Sequence, residues 1–248
     1  MKKIIFILNF IIISMVTYSL NFAVAPTRFQ VDLSKVDTKE VYVINNTSQP
    51  MRLETYLEND KNFGENFTMI DDIVVFPKKL AIKAGGTQVV RFRVKPRANM
   101  PEGELKTYIT FKEVPQEIKN TDPTSKKGET VGAGVGLLTE ISVPIYGYKG
   151  EQIVKGELKN IVIKSKGNNI GVFADSESFG NTSMKLSFEI TPLKSGEPIN
   201  GSLGISAREG KKKISVAVTV PKEFVGQKVR IVIKDQTDKI YYNGEKQL

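Results

Sequence analysis

The sequence predicts an all-β protein built from two immunoglobulin-like β-sandwich domains. Three observations predict it. Apolar and polar residues alternate with period 2 along most of the chain, and no helical period is sustained. Turn clusters rich in Gly, Asn and Ser interrupt the alternation at short intervals. The 248 residues, less a short leader, divide into two parts, each near the size of a seven-stranded sandwich of about 100 residues.

The leader comes first. Lys2 and Lys3 precede the apolar run Ile4 to Val16, broken only by Asn9 and Ser14. A short basic start followed by such a run has the form of a secretory signal peptide, whereas a spanning helix needs about 20 apolar residues. Residues 1–19 are expected to be removed by cleavage after Ser19. Ala23-Val24-Ala25 offers a second cleavage site, with Pro26 behind the cut. Either cut yields an exported protein.

The strands follow in order. Phe29, Val31 and Leu33 alternate. So do Val90, Phe92 and Val94, with Arg91, Arg93 and Lys95 on the other face, and then Ile109 and Phe111. In the second half Met184, Leu186, Phe188 and Ile190 form one row. Ile214, Val216, Val218 and Val220 form another, and Val229, Ile231 and Ile233 a third. Turn signals stand at Asn45-Asn46-Thr47-Ser48, Gly85-Gly86, Gly167-Asn168-Asn169 and Asn243-Gly244. Gln116 to Thr130 reads as a long irregular loop. The division falls near Gly147 to Gln152, which gives domains 20–148 and 149–248.

Composition excludes most catalysis. The chain has no Cys, His or Trp. Without His there is no Ser-His-Asp or Cys-His machinery. Without His and Cys there is no ordinary zinc site. Gly132-Ala133-Gly134-Val135-Gly136 opens an alternating strand rather than a helix, so it is not a nucleotide-binding loop. Asp71-Asp72 reads as a turn, because adjacent strand residues face opposite ways. The expectation is a protein that is not an enzyme, with no cofactor, no metal and no ATP. The net charge is +9, but the lysines are spread along an exported chain, so nucleic acid is not an expected partner.

Val131 to Tyr146 carries the most information. Ala133, Val135, Leu137, Ile141, Val143 and Ile145 share one parity, and Gly134, Gly136, Leu138, Glu140, Ser142 and Pro144 share the other. On pattern alone the apolar row either faces its own core or is an exposed edge row that pairs with a partner. Exposed apolar edges promote aggregation, so one that is kept usually has a client.

Ordered blocks across residues 22–146 resemble the PapD-like periplasmic pilus chaperones. They are Ala25-Pro26-Thr27-Arg28, Asn46-Thr47-Ser48, Phe76-Pro77-Lys78-Lys79-Leu80, Gly85-Gly86-Thr87, Pro101-Glu102-Gly103-Glu104 and Tyr108-Ile109-Thr110-Phe111-Lys112-Glu113-Val114-Pro115. The resemblance implies a boomerang of two sandwiches that captures pilus or fimbrial subunits by donor-strand complementation. It implies a periplasmic location and an outer-membrane usher as second partner. The implied donor-strand residues are Ala133, Val135 and Leu137, continued toward the cleft by Ile141 and Val143. Arg28 matches the basic residue that anchors the subunit's terminal carboxylate. The second anchoring cation falls at Ser142, which carries no charge; Arg91, Arg93 or Lys106 are the candidates to replace it, unless Arg28 acts alone. The rival expectation is an exported fibre subunit or adhesin. That reading calls for a donor extension at the N-terminus, whereas the alternating row here is internal.

Overall fold

The computed structural model describes residues 20–64, 66–115 and 138–248. The leader, the long loop, the glycine run and the expected donor residues Ala133, Val135 and Leu137 lie outside the described residues.

The first domain contains β1 (Phe22–Ala25), β2 (Phe29–Asp32), β3 (Asp37–Asn45), β4 (Met51–Asn59), β5 (Ile73–Phe76), β6 (Lys79–Ile82), β7 (Thr87–Val94), β8 (Gly103–Glu113) and β9 (Glu140–Lys149). They form a four-stranded sheet, β1-β3-β7-β5, and a five-stranded sheet, β2-β9-β8-β4-β6. Period-2 side-chain alternation turns one face of each sheet inward. Val41, Val43, Val90, Phe92 and Val94 meet Leu53, Leu105, Ile109, Phe111 and Ile145 in a single core. Phe29 meets Phe92 edge to face, with ring centres 4.9 Å apart. Asn45 is buried at the end of β3. Its amide nitrogen reaches Gln49 O (2.8 Å) and Lys83 O (3.0 Å), and its Oδ1 accepts from Thr47 N (2.9 Å). Asn45 thereby joins the two turns that the sequence marks at Asn45–Ser48 and Gly85-Gly86.

The second domain contains β10 (Gly156–Lys166), β11 (Asn169–Ser178), β12 (Lys185–Pro192), β13 (Ile199–Ile205), β14 (Gly210–Thr219), β15 (Lys228–Lys234) and β16 (Ile240–Gln247). A three-stranded sheet, β10-β11-β14, packs on a four-stranded sheet, β13-β12-β15-β16. The predicted rows Met184–Ile190 and Val229–Ile233 are buried here, with Ile170, Val172 and Phe224. The only helical turns among the described residues are Ile70–Asp72 and Lys222–Phe224, both 3-10. Asp71-Asp72 lies in the first of them. Arg97 Nε is 2.8 Å from the buried Asp72 carboxylate.

The domains join along a seam at the start of β8. Glu104 is wholly buried. Its Oε2 accepts from the Ser183 amide at 2.9 Å and from the Ser183 hydroxyl, and its Oε1 accepts from Tyr148 OH at 3.1 Å. The Glu104 amide donates to Asn181 O at 2.8 Å. Arg208 comes from the second domain. It donates from Nε to Glu104 O (2.8 Å) and from Nη2 to Glu102 O (2.7 Å), and its guanidinium lies 3.5 Å from the centre of the Phe67 ring. Burial pulls the Arg208 pKa below the usual arginine value, with Glu209 and Glu104 opposing that fall. A buried carboxylate is tolerable only when its lone pairs are satisfied, and residues of both domains satisfy Glu104.

Gly103 makes the close approach possible. Its φ is +92° and a Cβ there would stand 2.2 Å from Asn181 O. Gly103→Ala is therefore expected to lower stability by more than about 1 kcal/mol and to spread the domains. Thermal melting and small-angle scattering check this; an unchanged melt and scattering profile would show that the seam yields freely.

Candidate functional site: a cationic face beside an open strand edge

Parity decides which side chains reach the site. On β8, Leu105, Thr107, Ile109 and Phe111 are buried inward, so Lys106 and Tyr108 project from the other face. On β9, Val143 and Ile145 are buried inward, so Tyr146 and Tyr148 project outward. The register sets Lys106 opposite Tyr146 and Glu104 opposite Tyr148. β2 joins β9 in parallel, with Phe29 opposite Ile145, which brings the preceding Arg28 to the same outer face.

Arg28 is exposed, and its guanidinium carbon lies 4.3 Å from the centre of the Tyr146 ring. Lys106 Nζ lies 5.3 Å from the same centre. Lys106 also donates to Asp60 Oδ2 at 2.6 Å and Tyr108 OH at 2.8 Å. Burial works to lower the Lys106 pKa, but these two hydrogen bonds prevail and raise it. Burial likewise works to raise the Asp60 pKa, and the Lys106 ammonium holds the carboxyl below its ordinary value. Burial and then the Glu104 charge push the Tyr148 phenol well above its usual range. The face is therefore cationic at Arg28, internally paired at Lys106–Asp60, and neutral at Tyr148.

Among the described residues, β9 has an open edge: from Glu140 to Pro144 it pairs with β8 alone, and β2 covers it only from Ile145 to Tyr148. This open stretch lies directly after the expected donor residues, with Arg28 at the point where β2 takes over.

Several expected site residues are placed differently. Val143 is only 2% exposed and packs in the domain's own core, and Ile141 is half-buried against that core. Neither side chain is free to enter a client, so both are removed from the donor row. The physical reason is that β9 supplies the inward wall of its sandwich from Ile141 onward. Ser142 faces outward and bears no charge; its Oγ lies 2.9 Å from Thr110 Oγ1, which donates to Glu58 Oε2 at 2.5 Å. Arg91 and Arg93 are on β7 in the opposite sheet, and Arg91 pairs with Glu40 at 2.8 Å. Of the three proposed substitutes, Lys106 alone reaches the face that carries Arg28. Sequence reasoning missed Asp60, Tyr146, Tyr148 and Lys212. The outward parity of Tyr146 and Tyr148 was readable; the approach of Asp60 and Lys212 depends on tertiary packing.

Residues 21–134 match the family model described as pili and flagellar-assembly chaperone, PapD N-terminal domain. The match spans most of the first domain, which is similar to the N-terminal domain of that chaperone family. Similar solved structures include the E. coli chaperone DraB, at 15% identity over 92% of this chain and 98% of that one, with a TM-score of 0.46. The Pseudomonas aeruginosa chaperone CupB2 is 12% identical, over 91% of this chain and 100% of that one, with a TM-score of 0.46. The Salmonella enterica structure of SafA pilin in complex with the SafB chaperone gives 16% identity, over 94% of this chain and 99% of that one, with a TM-score of 0.46. No curated protein matches the chain.

The Lys106–Asp60 pair makes a pH prediction. A carboxyl held down in the folded state stabilises the fold above its unfolded pKa of about 4, and that contribution is lost as pH falls through the lower folded value. Asp60→Asn also leaves a largely buried ammonium short of its counter-charge, at a cost of about 2 kcal/mol near neutral pH. Melting temperatures of the wild type and Asp60→Asn should differ at pH 7 and converge below about pH 4. A constant difference across that range would contradict the assigned ionisation.

Proposed function

We propose that the protein is an exported, periplasmic chaperone that captures pilus or fimbrial subunits by donor-strand complementation and passes them to an outer-membrane usher. The observation that carries this reading is the open edge of β9 beside Arg28. A strand edge with unmet N–H and C=O groups accepts another chain by main-chain pairing, and alternate side chains then set the register. Residues 133–137 precede that edge directly, so Ala133, Val135 and Leu137 are the proposed donors. Arg28, exposed at the end of the open stretch, offers planar bidentate donors to the subunit's terminal carboxylate. Strand pairing and apolar burial supply the free energy, so capture requires neither ATP nor a catalytic group.

Recovery of the protein from its native periplasm, with identification of the proteins bound to it, tests the reading. Subunits of a surface fibre are expected in the complex. Val135→Asp and Leu137→Asp should leave the melting temperature unchanged and abolish capture, because an unpaired carboxylate placed in an apolar groove costs several kcal/mol. If these variants unfold instead, the row serves the chaperone's own core. Arg28→Ala should weaken capture by roughly tens- to thousands-fold. Arg28 is itself exposed, so the melting temperature should shift by less than about 1 kcal/mol of stability would produce. Undiminished capture by Arg28→Ala would remove it from the anchor.

A further inference from the structure

The outward face of the three-stranded sheet in the second domain carries an exposed aromatic ring among lysines. On β11, Ile170, Val172 and Ala174 are buried, so Gly171, Phe173 and Asp175 lie on the outward face. The register sets Val162 opposite Phe173 and Lys164 opposite Gly171. Phe173 is 43% exposed and Val162 45%. A Cβ at Gly171 would stand 3.1 Å from Phe173 Cε2, so the ring leans along β11 into the space that a side chain there would fill. Lys164 Nζ lies 5.7 Å from the ring centre. Phe173 is thus an aromatic platform with a cation beside it.

A groove of about 480 Å³ continues from the platform, lined by Lys159, Asn160, Asp175, Glu177, Lys211 and Lys213. Asp175 is the next outward residue after Phe173, about 7 Å along the strand. A bulge shapes the groove. β10 has one residue more than β11 between the pairs Lys159–Asp175 and Val162–Phe173. Asn160, in that bulge, has a φ of +52° and donates from Nδ2 to Asp175 Oδ2 at 2.8 Å. A positive φ at a residue with a side chain is strained, and such strain collects at binding sites.

The chemistry of the face selects a ligand. Its outward lysines are Lys159, Lys164, Lys166, Lys211 and Lys213, and its outward carboxylates are Glu157, Asp175 and Glu177, which leaves two positive charges in excess. Lys159 and Lys211 pair with Glu177 at 3.1 and 3.8 Å, whereas Lys164, Lys166 and Lys213 have no ion pair among the described residues. An anionic membrane would meet the lysines but be repelled by the carboxylates between them. A sugar hydroxyl both donates and accepts, so it uses Asp175 and the ammonium groups together. The C–H bonds of a sugar ring pack on the negative face of an aromatic ring. The excess positive charge calls for acidic groups on the same chain of sugars.

We propose that the outward face of β10, β11 and β14 binds an acidic polysaccharide. One sugar ring stacks on Phe173, the next is hydrogen-bonded in the groove at Asp175 and Lys213, and Lys164 and Lys166 meet the acid groups. The site belongs wholly to the second domain and does not depend on the capture reading.

The test titrates the full mature chain, isotopically labelled, with trigalacturonate and follows its amide resonances, with maltotriose as the neutral comparison. Trigalacturonate should give saturable shifts confined to β10, β11 and β14. It should bind at least about fivefold more tightly than maltotriose, the worth of two exposed charge pairs. Phe173→Ala should weaken binding about tenfold by removing the stack, and Phe173→Tyr, which keeps the ring, should bind as the wild type does. Lys164→Met combined with Lys166→Met should erase the preference for the acidic sugar. These side chains are exposed, so the variants should melt with the wild type. The absence of saturable shifts, shifts centred elsewhere, or undiminished binding by Phe173→Ala would overturn the proposal. So would vesicles of phosphatidylglycerol that shift the same amides when trigalacturonate does not, since the occupant would then be a lipid surface.

Discussion

The buried carboxylate of Glu104 is the constraint on which the arrangement depends. A charge removed from water is tolerated only if its acceptors are filled. Tyr148 fills one oxygen from the first domain, and Ser183 fills the other from the second. Arg208 then crosses the seam to the carbonyls of Glu102 and Glu104. If the domains separate, Ser183 no longer fills Glu104 Oε2 and Arg208 loses both carbonyls, and only the Tyr148 bond remains. The seam is polar and short, and its hydrogen bonds specify one relative placement, which a greasy interface would not do. That placement brings Lys212 opposite Lys106 and creates a pocket between them.

The outer face of the five-stranded sheet combines two properties that oppose each other in an ordinary soluble domain. Among the described residues, its β9 edge is left open along Glu140–Pro144, and cations gather at its end. An open edge invites indiscriminate pairing. Pro144, at the end of the open stretch, has no amide proton to donate to a partner strand. On the proposed capture reading, the exposed Arg28 at the end of the edge adds a chemical condition to backbone pairing, which by itself is tolerant of sequence.

Much of this was legible in the sequence. The rows Val90–Phe92–Val94 and Val229–Ile231–Ile233 are buried as alternation requires. The turn at Asn45 and the family blocks of the first half lie where the pattern put them. The direction of β9 was not legible. Period 2 separates two faces without saying which is inside, and Val143 and Ile145 prove to face the core. The seam was hidden for another reason. Glu104 and Ser183 lie far apart in the chain, and a glutamate among strand residues reads as solvent-facing. Lys212, one of three consecutive lysines, reads as a solvated face until the second domain brings its ammonium to the pocket.

Hydrogen–deuterium exchange over residues 131–149, with and without bound subunit, tests the central claim most directly. Main-chain pairing at the open edge predicts that amides of residues 131–143 become strongly protected in the complex, while those of Ile145–Tyr148, already paired with β2, change little. A stable complex in which residues 131–143 exchange as freely as in the isolated protein would contradict the account.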